Sequence, residues 1–378
     1  MDFSWDGEHE ALRQAVKRFA REEVAPLVRR MEEEDWFPRP LVQRMGELGW
    51  MGLPLPVHWG GAGKDFPSYI LAIEEISRVS PALGVILSVH TSVGTFPIVQ
   101  YGTLSQRERY LPLLASGRYL GAFALTEPSS GSDAASLRLA AEHCGSDYIL
   151  NGSKVFITNG GEADTYITFA RTDAAKGNRG ITAFIVEKET AGFHVGPRME
   201  KMGLHGSPTV ELFFENAKVP LSQRLGEEGE GFAIAMSLLN SGRIGIAAQA
   251  LGIAEGACDG VRDWLQSVQG LKTRSWAGEN LARLATAIEA ARWLVYQAAW
   301  RKEEGLENIR QASMAKMLAS DTAMQVSSTV LQLLGEHGAW EEFRQLERYF
   351  RDAKVTQIYE GSNEIQRVVI AKQFLKQR

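Results

Sequence analysis

Cysteine is nearly absent from this chain, since only Cys144 and Cys258 occur among its 378 residues. Two cysteines cannot form the disulfide framework of a small secreted protein, so the sequence favours a reducing, cytoplasmic compartment. Positive charge is also scarce, because 41 Lys and Arg residues stand against 46 Asp and Glu residues and the net charge is −5. Nucleic-acid-binding proteins are usually basic, and this balance therefore predicts no nucleic-acid partner.

Several other patterns are missing. No apolar run in the sequence approaches about 18 residues, the length that a membrane-spanning helix needs, so we expect no membrane partner. The seven histidines are scattered, and the C-terminal glutamates do not form the paired Glu-x-x-His pattern of a di-iron bundle. We therefore expect no metal. No G-x-G-x-x-G stretch follows a predicted strand, so a Rossmann-type nucleotide site is not supported.

The patterns that are present divide the chain into three regions. Residues 1–120 are predicted to be helical, because apolar residues such as Leu12 and Val16 recur at helical spacing. Residues 121–226 contain short strand-forming runs, and residues 227–378 return to long helical segments. The expected fold is therefore α+β and multidomain. It has an N-terminal all-α domain, a middle β-barrel or β-sandwich domain and a C-terminal four-helix bundle.

Local signals add detail to this division. The Asn151-Gly152 pair between two strand-forming runs predicts a β-hairpin turn. His90 lies in an apolar segment, where we expect a hydrogen-bonded core histidine instead of a catalytic one. Alanine-rich stretches with few helix breakers predict three long helices in the last region, at residues 232–265, 277–304 and 309–334.

The segment 357–367, Gln-Ile-Tyr-Glu-Gly-Ser-Asn-Glu-Ile-Gln-Arg, contains the strongest candidate for chemistry. A carboxylate at Glu360, crowded by Ile358 and Tyr359, would lose hydration, and its pKa would rise toward that of a general base. Gly361 allows a ligand to approach the backbone closely. From the spacing alone, a solvated glutamate between two helices remains the alternative.

Four further segments share a family pattern with this one. They are the segments 123–133 (Phe-Ala-Leu-Thr-Glu-Pro-Ser-Ser-Gly-Ser-Asp), 151–161, 243–254 and 351–354 (Arg-Asp-Ala-Lys). In this order and spacing the chain resembles the acyl-CoA dehydrogenases, and the resemblance covers essentially its whole length. It implies FAD-dependent α,β-dehydrogenation of an acyl-CoA thioester to the trans-2-enoyl-CoA, with electrons passed to an electron-transfer flavoprotein. It also implies a homotetramer arranged as a dimer of dimers.

The resemblance assigns roles to individual residues. Glu360 matches the catalytic base of the family, and its backbone N–H, with a ribityl hydroxyl of FAD, matches the oxyanion hole. Some relatives carry the base just before Arg243, where this chain has Gly242. The substrate-binding residues implied by the resemblance are Ser132, Arg243, Tyr359 and Gly361. The cofactor-binding residues implied by it are Phe123, Ala124, Leu125, Thr126, Ser132, Phe156, Ile157, Thr158, Arg274, Gln332, Gly335, Ser362 and Glu364.

The chain departs from the family pattern where that pattern contacts the FAD pyrophosphate. Relatives have an Arg-x-x-Phe-Gly stretch after the first bundle helix, and this chain is about four residues short there, with Val268 at the arginine position. The Gly-Gly pair of the family is Gly335-Glu336. Either Lys272 or Arg274 replaces the lost cation, or FAD is bound weakly. We favour Arg274, because a guanidinium pairs with phosphate in a bidentate way.

The sequence leaves open two alternatives to the interpretation of this chain as a dehydrogenase. The first is an acyl-thioester binding protein, for CoA or a carrier protein, with a degraded flavin site. The second is an oxidase or monooxygenase that uses O₂ directly. Such relatives often replace the glutamate of Tyr-Glu-Gly, and the presence of Glu360 argues against this second alternative.

Overall fold

The computed structural model describes residues 5–267, 275–335 and 343–376. Its first part is built from seven α-helices, four of which have a side-chain cap at the N-terminus. Asp65 accepts a hydrogen bond from the Ser68 N–H, and Ser80 accepts one from the Leu83 N–H, as helix caps do. The helices are α1 (Gly7–Phe19), α2 (Ala25–Glu34), α3 (Arg39–Glu47), α4 (Phe66–Ser77), α5 (Pro81–Val89), α6 (Phe96–Tyr101) and α7 (Leu104–Ala115).

A π-helical turn, His90–Thr95, joins α5 to α6 and packs against the first strand of the middle region. His90 is fully buried. Its Nδ1 accepts the Gly121 N–H at 3.1 Å, and its Nε2 donates to the Leu114 carbonyl at 3.2 Å. Burial lowers the pKa of His90 to about 4, so the ring is neutral. The prediction of a hydrogen-bonded core histidine is confirmed.

Two helical stretches, 81–101 and 231–267, are long and apolar enough to cross a membrane. The expectation that no segment of the chain reaches this length was wrong for both of them. In these stretches 94% and 67% of the most apolar 18-residue window is buried inside the protein. Their apolar character is therefore accounted for by packing in the protein core.

The middle region forms one mixed sheet of eight strands in the order β6-β7-β3-β2-β4-β5-β8, with β1 parallel to β4. Alternate side chains of several strands pack into a core of their own, which includes Tyr148, Phe184 and Phe214. The strands are β1 (Gly121–Ala124), β2 (Ala140–Cys144), β3 (Asp147–Thr158), β4 (Thr165–Arg171), β5 (Ile181–Glu187), β6 (Phe193–Arg198), β7 (Thr209–Pro220) and β8 (Arg224–Leu225).

The hairpin predicted at Asn151-Gly152 was wrong, because both residues lie inside the continuous strand β3. The pair instead marks a register shift between β3 and β7. Asn151 Oδ1 accepts the Asn216 N–H at 2.8 Å, so the asparagine bonds across the sheet instead of turning the chain. The turn lies earlier, where Gly145 has a φ of +63° between β2 and β3.

The last region consists of helices packed around α10, which contacts all four of the others. The helix α8 also packs on α4 and α5, so that one hydrophobic core extends across the N-terminal and C-terminal helices. The architecture confirms the predicted succession of helical, β and helical regions. The helices are α8 (Gly231–Ser267), α9 (Ser275–Glu303), α10 (Ile309–Leu334), α11 (Arg344–Thr356) and α12 (Asn363–Lys376).

Candidate active site

The turn between α11 and α12 places Glu360 with an unusual backbone. Glu360 has a φ of +55° and Gly361 a φ of +89°, so two consecutive residues are left-handed. A non-glycine residue pays a steric cost in this conformation, so the surrounding structure must hold it there. The amide of Gln366 does so, because its Nε2 donates to the carbonyls of Glu360 at 3.2 Å and Gly361 at 2.8 Å.

The Glu360 carboxylate lies directly against Gly242 of α8. A Cβ built on Gly242 would stand 2.6 Å from Oε2, 2.8 Å from Cδ and 2.9 Å from Oε1 of Glu360. The missing side chain at position 242 therefore makes the space that the carboxylate occupies. Oε2 is buried and has no hydrogen-bond partner among the residues that the structure describes. An unpartnered carboxylate oxygen in the interior is available to accept a proton.

The electrostatic environment of Glu360 suits a base that works near neutral pH. Burial raises the pKa of Glu360 to about 7, and the positive charges of Arg243 and Lys316 oppose this rise. Because loss of hydration disfavours the charged form, the ionised carboxylate gains basicity when it is buried. A pKa close to the operating pH is the value at which a general base is most effective.

Arg243 is the first of these two cations. It is buried, its Nη1 lies 3.5 Å from the Ser313 hydroxyl, and its Nε has no hydrogen-bond partner within the described ranges. Burial lowers the pKa of Arg243, and the negative charge of Glu360 opposes that effect. Arg243 therefore keeps donor capacity beside the carboxylate, as the substrate-binding prediction requires.

Tyr359 ties the turn to the helical core behind it. Its hydroxyl donates to Gln249 Oε1, and Gln249 Nε2 donates to the Pro81 carbonyl at 2.9 Å. Burial raises the pKa of Tyr359, so its hydroxyl remains protonated. The phenol of Tyr69, whose pKa is raised by burial and also by the charge of Glu360, donates to the Ser88 carbonyl at 2.9 Å. Gln249 and Tyr69 were not predicted from the sequence, because only the packing of α8 on α4 and α5 brings them to the turn.

The two segments predicted to contact the flavin ring meet at the sheet. The Val155 N–H donates to the Thr126 carbonyl at 2.9 Å, which places residues 123–126 beside residues 154–158. Phe156 sits in a bulge of β3 with a φ of +60°, and 65% of it is exposed. Thr126 and Thr158 are partly exposed. An uncovered aromatic face beside two accessible hydroxyls fits a planar heterocycle such as a flavin.

Several residues of these two segments have buried side chains that a bound cofactor could not contact. Ala124, Leu125 and Ile157 are buried in the hydrophobic cores, so only their backbone groups remain for a cofactor. Phe123 is partly buried and packs on Phe169, with ring centroids 5.1 Å apart. Ser132 lies exposed in the loop that follows Thr126.

A buried ion pair lies beneath the loop that contains Leu125 and Thr126. Lys154 is fully buried, and its Nζ donates to Glu127 Oε1 at 2.8 Å and to the Leu125 carbonyl at 3.0 Å. Glu127 also accepts the backbone N–H groups of Arg138 and Leu139, at 2.6 Å and 2.8 Å. Burial lowers the pKa of Lys154 to about 8, and Glu127 opposes this fall. The pair fixes the backbone of residues 125–127.

The remaining predicted cofactor residues lie in two places. Ser362 and Glu364 stand at the start of α12, next to the Glu360 turn. Gln332 and Gly335 are exposed near the end of α10. Gln332 is about 18 Å and Gly335 about 22 Å along that helix from Ser320, whose hydroxyl accepts the Asn363 Nδ2–H. The structure therefore does not bring Gln332 and Gly335 to Glu360 within one chain.

The cation proposed for the pyrophosphate cannot be placed, because Arg274 and Lys272 lie outside the described residues. Glu336 lies outside them as well. Within the described ranges no group of three or more His, Cys, Asp or Glu side chains is arranged to hold a metal ion.

Comparisons with known proteins place this geometry in a family. Models of the N-terminal, middle and C-terminal domains of acyl-CoA dehydrogenases match residues 6–118, 122–217 and 229–375. An acyl-CoA dehydrogenase of Bacillus subtilis is 54% identical, over 96% of this chain and 97% of its own.

Two solved structures share the whole fold. The butyryl-CoA dehydrogenase of Megasphaera elsdenii is 44% identical, with a TM-score of 0.97 over 99% of this chain and 100% of its own. A chain in a structure of the electron-transferring flavoprotein of Acidaminococcus fermentans is 45% identical, with a TM-score of 0.97 over 100% of both chains. The chain thus belongs to the acyl-CoA dehydrogenase family, whose members depend on FAD.

Proposed function

We propose that this chain is an FAD-dependent enzyme that oxidises an acyl-CoA thioester to the trans-2-enoyl-CoA. The observation that carries the proposal is the Glu360 carboxylate, which is held against Gly242 with one buried, unpartnered oxygen. Its pKa of about 7 allows it to take a proton from carbon near neutral pH. The family match supplies the class of reaction.

The reaction removes two hydrogens from neighbouring carbons. Glu360 takes the α proton, and the backbone N–H of Glu360 donates to the thioester oxygen, on which negative charge develops. Arg243 contributes a buried positive charge beside the same centre. FAD, when bound, supplies the oxidant that accepts the β hydrogen as a hydride. Gly361 leaves room for the thioester at the turn, because it carries no side chain.

The residues that hold the flavin ring are proposed from their accessibility. Phe156 would cover one face of the ring, and the hydroxyls of Thr126 and Thr158 would bond to its polar edge. Phe123 and the backbone of residues 124, 125 and 157 shape the wall behind it. Ser132, on the exposed loop, would reach both the cofactor and the substrate. Ser362 and Glu364 would meet the cofactor from the start of α12.

The distance along α10 supports an assembly of several chains. Gln332 and Gly335 lie far along α10 from the Glu360 turn, and we propose that they contact the FAD of a neighbouring subunit in a homotetramer. Apolar side chains on the C-terminal helices, including Phe374 at 68% exposure and Leu375 at 78%, support contact between copies. Light scattering that shows a monomer at micromolar concentration would contradict this.

We further propose Arg274 as the cation that contacts the FAD pyrophosphate. A charge-assisted contact of this kind is worth roughly 1.5–3 kcal/mol, or about one to two decades in affinity. Arg274→Ala should therefore lower the FAD content of the purified protein, and Lys272→Ala should lower it less. Full and equal FAD content in both variants would contradict the proposal.

The substrate and the partners are proposed from the comparisons and the composition. The relative named for butyryl-CoA favours a short acyl chain. The match within a structure of an electron-transferring flavoprotein favours such a protein as the acceptor of the electrons. A cytoplasmic location is supported by Cys144 and Cys258, which are both free thiols.

The test is a panel of acyl-CoA substrates mixed with the purified protein under anaerobic conditions. Loss of the flavin absorbance with one class of acyl-CoA, together with formation of the enoyl-CoA, is the expected result. Substrates with four to six acyl carbons should react fastest. A yellow protein whose flavin absorbance no acyl-CoA reduces would overturn the proposal. A protein that binds acyl-CoA but retains no flavin would favour the thioester-binding alternative.

A further inference from the structure

Lys316 lies beside the Glu360 turn and has no role in the reaction as described so far. It is on α10, and its side chain is fully buried. Its Nζ donates to the Gly361 carbonyl at 2.9 Å and to Asn363 Oδ1 at 3.0 Å. The Gly361 carbonyl belongs to the segment that joins α11 to α12, and Asn363 is the first residue of α12. Lys316 and Gln366 therefore both donate to the Gly361 carbonyl and both hold the turn.

The cost of burying this ammonium group needs an explanation. Lys316 forms no ion pair within 4.0 Å with any carboxylate in the described part of the chain, although a buried lysine is usually paired. Two neutral oxygens accept hydrogen bonds from it. Burial lowers the pKa of Lys316 to about 8, and the negative charge of Glu360 opposes this fall. A neutral glutamine or methionine would fill the same space without such a cost.

The groups that face Glu360 come from four elements. Arg243 approaches from α8 and Lys316 from α10, and both lower the pKa of Glu360. The phenols of Tyr69 on α4 and Tyr359 before the turn remain uncharged, because burial raises the pKa of each. Lys316 itself also faces Asp321 and Glu364. The two cations are therefore the charges that oppose the effect of burial on the carboxylate.

We propose that Lys316 is a positioning residue for Glu360. Its ammonium group holds the left-handed turn through the Gly361 carbonyl and sets a positive charge beside the carboxylate. The proposal rests on the assignment of Glu360 as the base. It explains why the lysine is buried here: its charge keeps more of the carboxylate ionised at neutral pH than burial alone would allow.

The decisive variant is Lys316→Met, which keeps an unbranched side chain one atom shorter and removes the charge and the donors. Removing a cation raises the pKa of a neighbouring carboxylate. In a plot of the flavin-reduction rate against pH, the midpoint of the fall on the acidic side should therefore move to higher pH by about one unit. At pH 7 the rate should fall about fivefold, with KM for the acyl-CoA unchanged within about twofold. Lys302→Met, at a partly buried lysine on α9, should leave the profile in place.

A second measurement does not depend on turnover. In the holoenzyme without substrate, ¹³C-labelled glutamate carboxyls are followed by NMR through a pH titration, and Glu360→Gln identifies the Glu360 signal. The midpoint of that signal should lie higher in Lys316→Met than in the wild type. An unchanged midpoint and an unchanged rate profile in a folded, FAD-containing variant would overturn the proposal.

Two more substitutions separate the charge from the hydrogen bonds. Lys316→Gln keeps an N–H donor for the Gly361 carbonyl without the charge. It replaces Lys316→Met in the rate and NMR measurements if Lys316→Met does not fold. Its titration midpoint should shift as in Lys316→Met, while Lys316→Arg should restore the wild-type midpoint. A wild type whose flavin no acyl-CoA reduces would contradict the proposed function. The NMR titration would still decide whether Lys316 acts on Glu360.

Discussion

Two of the lysines that the structure describes are fully buried and lie close to a glutamate, and the two sites differ in how the carboxylate is bonded. In the sheet, Lys154 contacts Glu127 directly, and two backbone N–H groups complete the bonding of that carboxylate. In the helical region, Lys316 bonds to the backbone beside Glu360, and one oxygen of Glu360 has no partner among the described residues. Burial lowers the pKa of both lysines to about 8.

This difference shows that a buried lysine near a glutamate can have a structural role at one site and a role in setting a pKa at another. A carboxylate whose two oxygens both accept hydrogen bonds is stabilised as an anion and holds a loop in place. A carboxylate left with a free buried oxygen is a poorly stabilised anion, and it gains stability by taking a proton. The lysine at the first site neutralises its partner, whereas the lysine at the second site moderates how strongly its neighbour binds a proton.

The largest expected effect is a loss of catalysis that should follow from replacing Glu360 and not from replacing Glu127. Glu360→Gln should lower the rate of flavin reduction by acyl-CoA by at least about 10²–10⁴-fold, because an amide cannot accept the α proton. FAD content should stay at the wild-type level, since Glu360 is not among the residues proposed to hold the flavin ring. Stopped-flow absorbance under anaerobic conditions measures the rate. A variant that reduces its flavin at nearly the wild-type rate would show that Glu360 is not the base.

The second prediction concerns the fully bonded site. Glu127→Gln leaves the Lys154 ammonium buried without its carboxylate, and breaking a buried pair costs about 3–5 kcal/mol in unfolding free energy. Urea denaturation measures this loss, and the flavin absorbance should fall because residues 125–127 are no longer fixed. The double variant Glu127→Leu, Lys154→Met is the control and should recover most of the stability. Unchanged stability in Glu127→Gln would show that the pair is not needed.

The third prediction uses pH. Because the folded state raises the pKa of Glu360 from 4.5 to about 7, the stability linked to this group is present below pH 4.5 and is lost as the pH rises through 7. Glu360→Gln should therefore match the wild type at pH 4.5 and exceed its unfolding free energy by about 2–3 kcal/mol at pH 8. Glu304→Gln, at an exposed position, should show no such difference.

The smallest expected effect tests the contact between Gly242 and Glu360. Gly242→Ala places a methyl group where the carboxylate lies, and the flexible glutamate can move aside at little cost in stability. The rate of flavin reduction should fall about tenfold, because a displaced base is no longer aligned with the α carbon. Gly278→Ala, a helix position with nothing within 4 Å of the added atom, is the matched control. Equal rates in both variants would contradict the contact.

The sequence predicted those features that depend on local pattern. The three regions follow from the spacing of apolar residues, and the Tyr359-Glu360-Gly361 turn follows from the family pattern. The hairpin at Asn151-Gly152 was predicted wrongly, because the cross-sheet bond to Asn216 prevails over the local preference for a turn. An Asn-Gly pair in a sequence does not by itself distinguish a hairpin turn from an irregularity inside a strand.

Other features could not be predicted, because they exist only in the tertiary structure. Lys316 and Gly361 are 45 positions apart, and nothing in the segment Ala315-Lys316-Met317 distinguishes its lysine from an ordinary surface residue of a helix. The role of Gly242 as the space for a carboxylate appears only when α8 packs against the turn. Gln249 is likewise defined by the two elements that it joins.

The left-handed backbone of Glu360 has a consequence for protein engineering. A glutamate in this conformation costs roughly 1–2 kcal/mol relative to glycine, and asparagine also tolerates it better. Libraries sorted for heat resistance alone should therefore enrich Glu360→Gly and Glu360→Asn. Directed evolution toward a more robust catalyst must select for turnover at every round, because the fold by itself favours the loss of the residue that performs the chemistry.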